Sequence, residues 1–210
     1  MTTRQQSRQQ LSREAVLAAA EELVREHGPQ ALTMRRLATA LGAAVTAIYW
    51  HVGNREALLD ELVQRTVREM GQITAHGATP AARAESVALT LRRKLRAHPH
   101  LIALVHERGL TELMMLPAQR ALVHEAHTAG LRGEAAAEAV RAVQVQVVGF
   151  VLVERNRERA PRQHPGEPEL WDAETAEQDP PLAAALGRPT DPDRLFAASV
   201  RALVSALWPC

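Results

Sequence analysis

Cysteine is nearly missing from this chain: Cys210 is the only one in 210 residues. One chain can therefore form neither an internal disulfide nor a zinc site built on cysteines. Lysine is as scarce, since Lys94 stands alone and every other basic residue is arginine. That bias, with the abundance of alanine, fits a GC-rich bacterial genome better than a functional demand. Long apolar runs are missing too. No uninterrupted stretch reaches the roughly 18 residues a bilayer span needs, and Met1-Thr2-Thr3-Arg4-Gln5-Gln6 leads into no signal-peptide core. The expectation is a protein of the reducing cytoplasm. An excess of one charge is also lacking, with 25 basic against 24 acidic residues. The hydrophobic share of 46% and charged share of 23% describe a folded globular chain, neither disordered nor collagen-like.

The even balance hides a polar distribution. Arg4, Arg8, Arg13, Arg25, Arg35, Arg36 and Arg55 outnumber the nearby Glu14, Glu21, Glu22 and Glu26, whereas residues 163–187 hold six acidic residues and no Lys or Arg. Strand signals are few and helix signals many. Ser12 suits a helix N-cap, with Leu11 and Val16 spaced as a hydrophobic staple. Val16, Ala20, Leu23 and Val24 then share a face, which His27-Gly28-Pro29 terminates. Short helices fit 33–40 and 44–50. A longer one follows Asn54 with Leu58, Leu59, Leu62, Val63, Val67 and Met70 as its stripe. Further helices fit 80–97, about 101–110 and 117–128.

Residues 134–159 lack proline, yet their centre, Val143-Gln144-Val145-Gln146-Val147-Val148, alternates as a strand would. A buried helix is the preferred reading, because the Ala/Glu-rich start favours helix and no partner strand is visible. A Pro-rich acidic linker fits 160–190, with a short helix at 181–186. Asp191-Pro192 then caps a last helix carrying Phe196, Val200, Leu203, Val204 and Leu207 on one face.

Residues 33–50 have the spacing of a helix-turn-helix, with Gly42 in the turn, Ala38 where two helices cross and Leu37, Leu41 and Ile48 to bury the junction. The second helix would project Ala44, Val45, Thr46, Ala47, Tyr49 and His51 toward a major groove. An ordinary helical corner has the same pattern.

The stretch Leu32-Thr33-Met34-Arg35-Arg36-Leu37-Ala38, then Gly42, then Ile48-Tyr49-Trp50-His51-Val52-Gly53-Asn54-Arg55-Glu56-Ala57-Leu58-Leu59-Asp60 resembles the DNA-binding domain of the TetR family. Within that family it is most similar to the tetracycline repressor's own subgroup. The resemblance is strong over about residues 11–70 and weaker beyond, where Gly149 and Val151-Leu152 precede an acidic loop, Pro180-Pro181-Leu182 and a final amphipathic helix. It implies an all-α fold: a three-helix helix-turn-helix domain at 1–60, and a larger helical effector-binding and dimerisation domain at 61–210. The implied partners are an operator duplex, a small-molecule effector and a second copy of the chain, with no cofactor and no membrane.

By the same resemblance the DNA-binding set is Thr33, Arg35, Val45, Thr46, Ala47, Tyr49, His51 and Arg55. Tyr49, His51 and Arg55 would touch phosphates, Arg35 a phosphate or base edge, and Thr46 a base. Trp50 is expected in the core. Ala44, Val45 and Ala47 are apolar where the tetracycline repressor has polar readers, so its operator does not transfer and contact with thymine methyls is the physical expectation. The effector pocket is assigned to Leu101, Leu104, His106, Met114 and Gln144. Dimerisation through a four-helix bundle is assigned to Val140, Val148, Val151, Phe196, Val200, Leu203, Val204 and Leu207.

Tetracycline repressors hold a magnesium-drug chelate with His and Glu groups. His106 and Glu154 fall one residue from the matching places, which turns each side chain well round its helix, so a largely apolar effector is expected instead. His98 and His100, or His124 and His127, could serve a metal-binding or hydrolytic protein, the competing class. However, three converging ligands are not evident, and neither a Gly-rich phosphate loop nor a nucleophile elbow occurs. A dimeric DNA-binding protein without an effector is a third reading.

Overall fold

The computed structural model describes residues 11–159, 177–186, 188 and 190–209. The proposed linker at 160–190 falls largely outside the described residues, as do Arg4 and Arg8. Two compact units are present, one formed by 1–72 with 94–117 and the other by 73–93 with 118–210. Among the described residues the regular structure is helical throughout.

The first unit contains α1 (Arg13–His27), a 3-10 turn (Pro29–Ala31), α2 (Met34–Leu41), α3 (Val45–Val52), α4 (Arg55–Met70) and α6 (Pro99–Arg108). Each early helix begins where a side chain can satisfy a free N–H. Ser12 Oγ accepts from the Ala15 amide at 3.1 Å, Thr33 Oγ1 from Arg36 at 3.2 Å and Asn54 Oδ1 from Ala57 at 2.8 Å. The single lysine, Lys94, donates its Nζ to the Met70 carbonyl at the end of α4, where positive charge suits the helix dipole. Val16, Ala20, Val24, Leu37, Ile48, Leu58 and Leu59 form the core around which α1 to α4 pack. Ion pairs lie over it: Arg13 reaches Glu61 at 2.6 Å, Arg65 joins Glu14 and Glu69, and Arg108 on α6 joins Asp60 on α4 at 2.7 Å.

The second unit contains residues 80–93 of α5 (Pro80–Ala97), residues 118–128 of α7 (Thr111–Thr128), α8 (Gly133–Arg159), α9 (Pro180–Leu186) and α10 (Pro192–Leu207). Helix α7 starts six residues before the expected boundary and carries Pro117 inside it, so the proline ring sits within a continuing helix at the loss of one i→i−4 bond. The alternating valines fold as helix. Val143, Val147 and Val151 are buried at four-residue spacing, while Val145, which a strand would align with Val143 and Val147, is 72% exposed.

By length and composition α8 is apolar enough to cross a bilayer; here it packs against α10 as a core helix. Phe150 and Phe196 meet edge to face at 5.0 Å between centroids. Gln146 donates to Ser199 Oγ at 2.9 Å.

The buried guanidinium of Arg92 on α5 ties these helices together. It forms a two-pronged pair with Glu154 on α8, at 3.0 and 2.6 Å, and reaches Asp193 on α10 at 2.7 Å. It also lies over the Phe150 and Phe196 rings, 5.4 and 4.8 Å from their centroids. Hydrogen bonding to Glu154 above all, and then to Asp193, raises its pKa against the opposing effect of burial.

Candidate nucleic-acid interface

Helices α2 and α3 pack together through Leu37, Ala38 and Ile48, all buried. The turn between them is possible because Gly42 takes φ +60° and ψ +31°, the left-handed conformation that costs a side-chain-bearing residue most. Its N–H bonds back to α2, and the Ala43 amide donates to the Ala38 carbonyl at 3.0 Å. The far end of α3 is tied down by Arg13, whose Nε donates to the His51 carbonyl at 3.2 Å. Thus α3 is held at both ends with one side free.

That free side carries most of the expected residues. Ala44, Val45, Thr46 and Tyr49 are exposed, and Ala47 and His51 half-buried. On α2, Arg35 is exposed, whereas the Thr33 hydroxyl is engaged as the N-cap.

One expectation is corrected, and a second residue is held within the fold. Trp50 is 89% exposed and contributes nothing to the core. The buried stripe of α3 is set by Ile48 and Val52, and Trp50, two residues on from Ile48, points about 200° away from it. Arg55 is that second residue. Its Nε donates to the Leu32 carbonyl and its terminal nitrogen to the Pro29 carbonyl, both at 2.8 Å. It therefore fastens the 3-10 turn to α4 from a partly buried position.

The residues assigned to an effector fall in different units. Leu104 and Met114 are buried in the first, and Gln144 is half-buried in the second. The side chains of Leu101 and His106 lie outside those described. Glu154, the carboxylate closest to a magnesium-chelate role, is held by Arg92 instead. Among the described residues no three of His, Cys, Asp and Glu converge as a metal site.

The assigned dimer residues split. Val140, Val151, Phe196, Val200 and Val204 are buried within the single chain and belong to its own core, whereas Val148, Leu203 and Leu207 are half-buried. A different row faces outward: Val145, Leu152 and Val153 on α8, with Leu195, Ala198 and Ala202 on α10.

Comparison with known proteins agrees with this geometry. Residues 16–62 match the family model of bacterial regulatory proteins, tetR family. The class C tetracycline repressor protein of Escherichia coli is 50% identical over 54 residues, which are 26% of this chain and 25% of that protein. A helix-turn-helix type transcriptional regulator of Saccharopolyspora erythraea is 31% identical over 146 residues, 69% of this chain and 61% of that one. The match thus spans about a quarter of the tetracycline repressor's length and three fifths of the regulator's.

Among solved structures, the Streptomyces coelicolor TetR family protein ActR in complex with (S)-DNPA superposes with a TM-score of 0.70 at 24% identity, covering 94% of this chain and 97% of that one. Residues 16–62 thus carry the sequence of the tetR family, and the chain as a whole has the fold of ActR, a TetR family protein.

Proposed function

We propose that the chain is a transcriptional regulator, most simply a repressor. In this reading it binds a two-fold symmetric operator as a homodimer and leaves it when a small molecule binds. The single observation that carries this reading is α3, anchored by Gly42 and Arg13 with Val45, Thr46, Tyr49 and Trp50 facing outward, inside a segment matching the tetR family model. Arg35, Tyr49 and His51 supply the polar and cationic groups a duplex backbone requires.

The functional division we infer is 1–60 for DNA and 61–210 for effector and partner copy, although the compact unit around the reading head also takes in 94–117. ActR was crystallised with a small molecule, and likeness of fold supports an effector here. With Glu154 paired to Arg92, that effector is a largely apolar molecule rather than a magnesium chelate. The outward row on α8 and α10 is the surface we assign to the second copy, in place of the inward residues.

The test is selection of duplexes from a random pool by the purified chain. A palindromic consensus is the expected result, with affinity falling steeply as salt rises. Candidate antibiotics and lipophilic metabolites are then screened for release of that duplex, with and without magnesium. Failure to enrich any sequence would remove the proposal, and release by a tetracycline only with magnesium would reverse the effector assignment.

A further inference from the structure

We propose that α3 selects its half-site through the 5-methyl groups of thymine, an inference that rests on the DNA-binding reading above. The helix is Val-Thr-Ala-Ile-Tyr-Trp-His-Val. Purines are read in the major groove by paired donors and acceptors, Arg or Lys on guanine and Asn or Gln on adenine. None of these residue types occurs on α3. What its first turn offers instead is methyl groups: the Ala44 Cβ, both Val45 methyls and the Thr46 methyl are on exposed residues, with the Ala47 Cβ half-buried beside them.

Val45 carries the argument furthest. It lies on the same side of the helix as the buried Ile48 and Val52 and is 37% exposed, so part of its side chain reaches solvent at the edge of the packed face.

The major-groove edge presents one apolar feature, the C5-methyl of thymine, which distinguishes T·A from C·G at the same position. A surface of small methyl-bearing side chains is complementary to it in size and polarity. The occupant is thus pyrimidine methyl groups of a duplex. The net positive charge of the surrounding segment brings the backbone near, and Arg35, exposed on α2, serves a phosphate or a guanine outside the methyl patch.

The experiment uses the full chain and the best duplex recovered from a random pool. Each thymine is replaced in turn by deoxyuridine, which removes the methyl and keeps every hydrogen-bonding group. Affinity is read by fluorescence anisotropy at fixed salt. Loss of a covered methyl is expected to weaken binding by about fourfold at positions clustered within each half-site, with no change outside them. Val45→Ala should abolish the penalty at one such position while leaving the others. Equal affinity for all deoxyuridine duplexes would overturn the proposal while DNA binding stands. An equal drop for Val45→Ala on thymine and uracil duplexes would do the same. If the pool yields no duplex at all, the DNA-binding reading fails and this inference with it.

Discussion

Arg35 and Arg55 have the same charge in different surroundings, and the use we propose for each follows from what its guanidinium meets. Arg55 donates to the carbonyls of Leu32 and Pro29; removing it leaves both acceptors short of a charged donor, at a cost of about 2 kcal/mol. Arg55→Ala should therefore lower the melting temperature by about 5 °C and leave the salt slope of DNA binding unchanged. Arg35 is exposed, so Arg35→Ala should leave the melting temperature alone and, by losing one phosphate, flatten the slope of log affinity against log salt by about one unit. Thermal denaturation and a salt titration of both variants separate the roles, and a reversed pattern would exchange the assignments. Sequence reasoning could place both residues but not tell them apart, because the carbonyls that hold Arg55 come from 23 and 26 residues earlier in the chain. Trp50 was misplaced for a simpler reason: size and hydrophobicity suggest burial, but its angle on α3 relative to Ile48 and Val52 decides otherwise. Trp50→Ala should accordingly leave the melting temperature within about 1 °C, since nothing buried is removed.

At the scale of elements, the caps were the most legible feature. Ser12, Thr33, Asn54 and Asp191 each accept the expected amide hydrogen bonds, because capping is local chemistry decided within three residues. The start of α7 was not legible, since Pro117 reads as a first-turn residue and only tertiary packing, with Met114 and Met115 buried ahead of it, carries the helix past it. The Arg92 junction was equally hidden. Its partners are 62 and 101 positions away, and no pattern in the sequence links them. Arg92→Met should destabilise the chain by about 3 kcal/mol, because Glu154 would remain as a nearly buried carboxylate with no cation. Adding Glu154→Leu to that variant should recover a large part of the loss, as the stranded charge is then removed too. Urea denaturation of the two single variants and the double one measures the coupling. Strict additivity would mean that the pair contributes nothing beyond the packing of the arginine stem on Phe150 and Phe196.

Across the whole molecule, the question is which apolar surface a second copy would cover. The last helix has two apolar sides, and the sequence shows both without saying which one the chain uses for itself. Phe196, Val200 and Val204 turn inward with Trp208; Leu195, Ala198 and Ala202 turn outward, as do Val145, Leu152 and Val153 on α8. Each inward residue is part of the core, so Phe196→Ala should cost about 3–5 kcal/mol, seen as loss of helical signal at lower temperature in circular dichroism. Ending the chain before Asp191 should likewise prevent the second unit from folding, rather than simply yielding a monomer. The outward residues make the opposite prediction. Val153→Arg or Leu195→Arg places a charge in a surface that is dry only when a second copy covers it, so each variant should keep its helical content and melt near the parent temperature at low concentration while sedimenting as a monomer. Operator binding then follows the assembly. A two-fold dimer presents its two reading heads to half-sites about 34–36 Å apart, and joining them makes the second contact effectively intramolecular. A folded monomeric variant should therefore bind a single half-site as weakly as the parent does, and gain nothing when the second half-site is restored. Were Val153→Arg and Leu195→Arg both to remain dimeric with full operator affinity, the outward row would not be the interface.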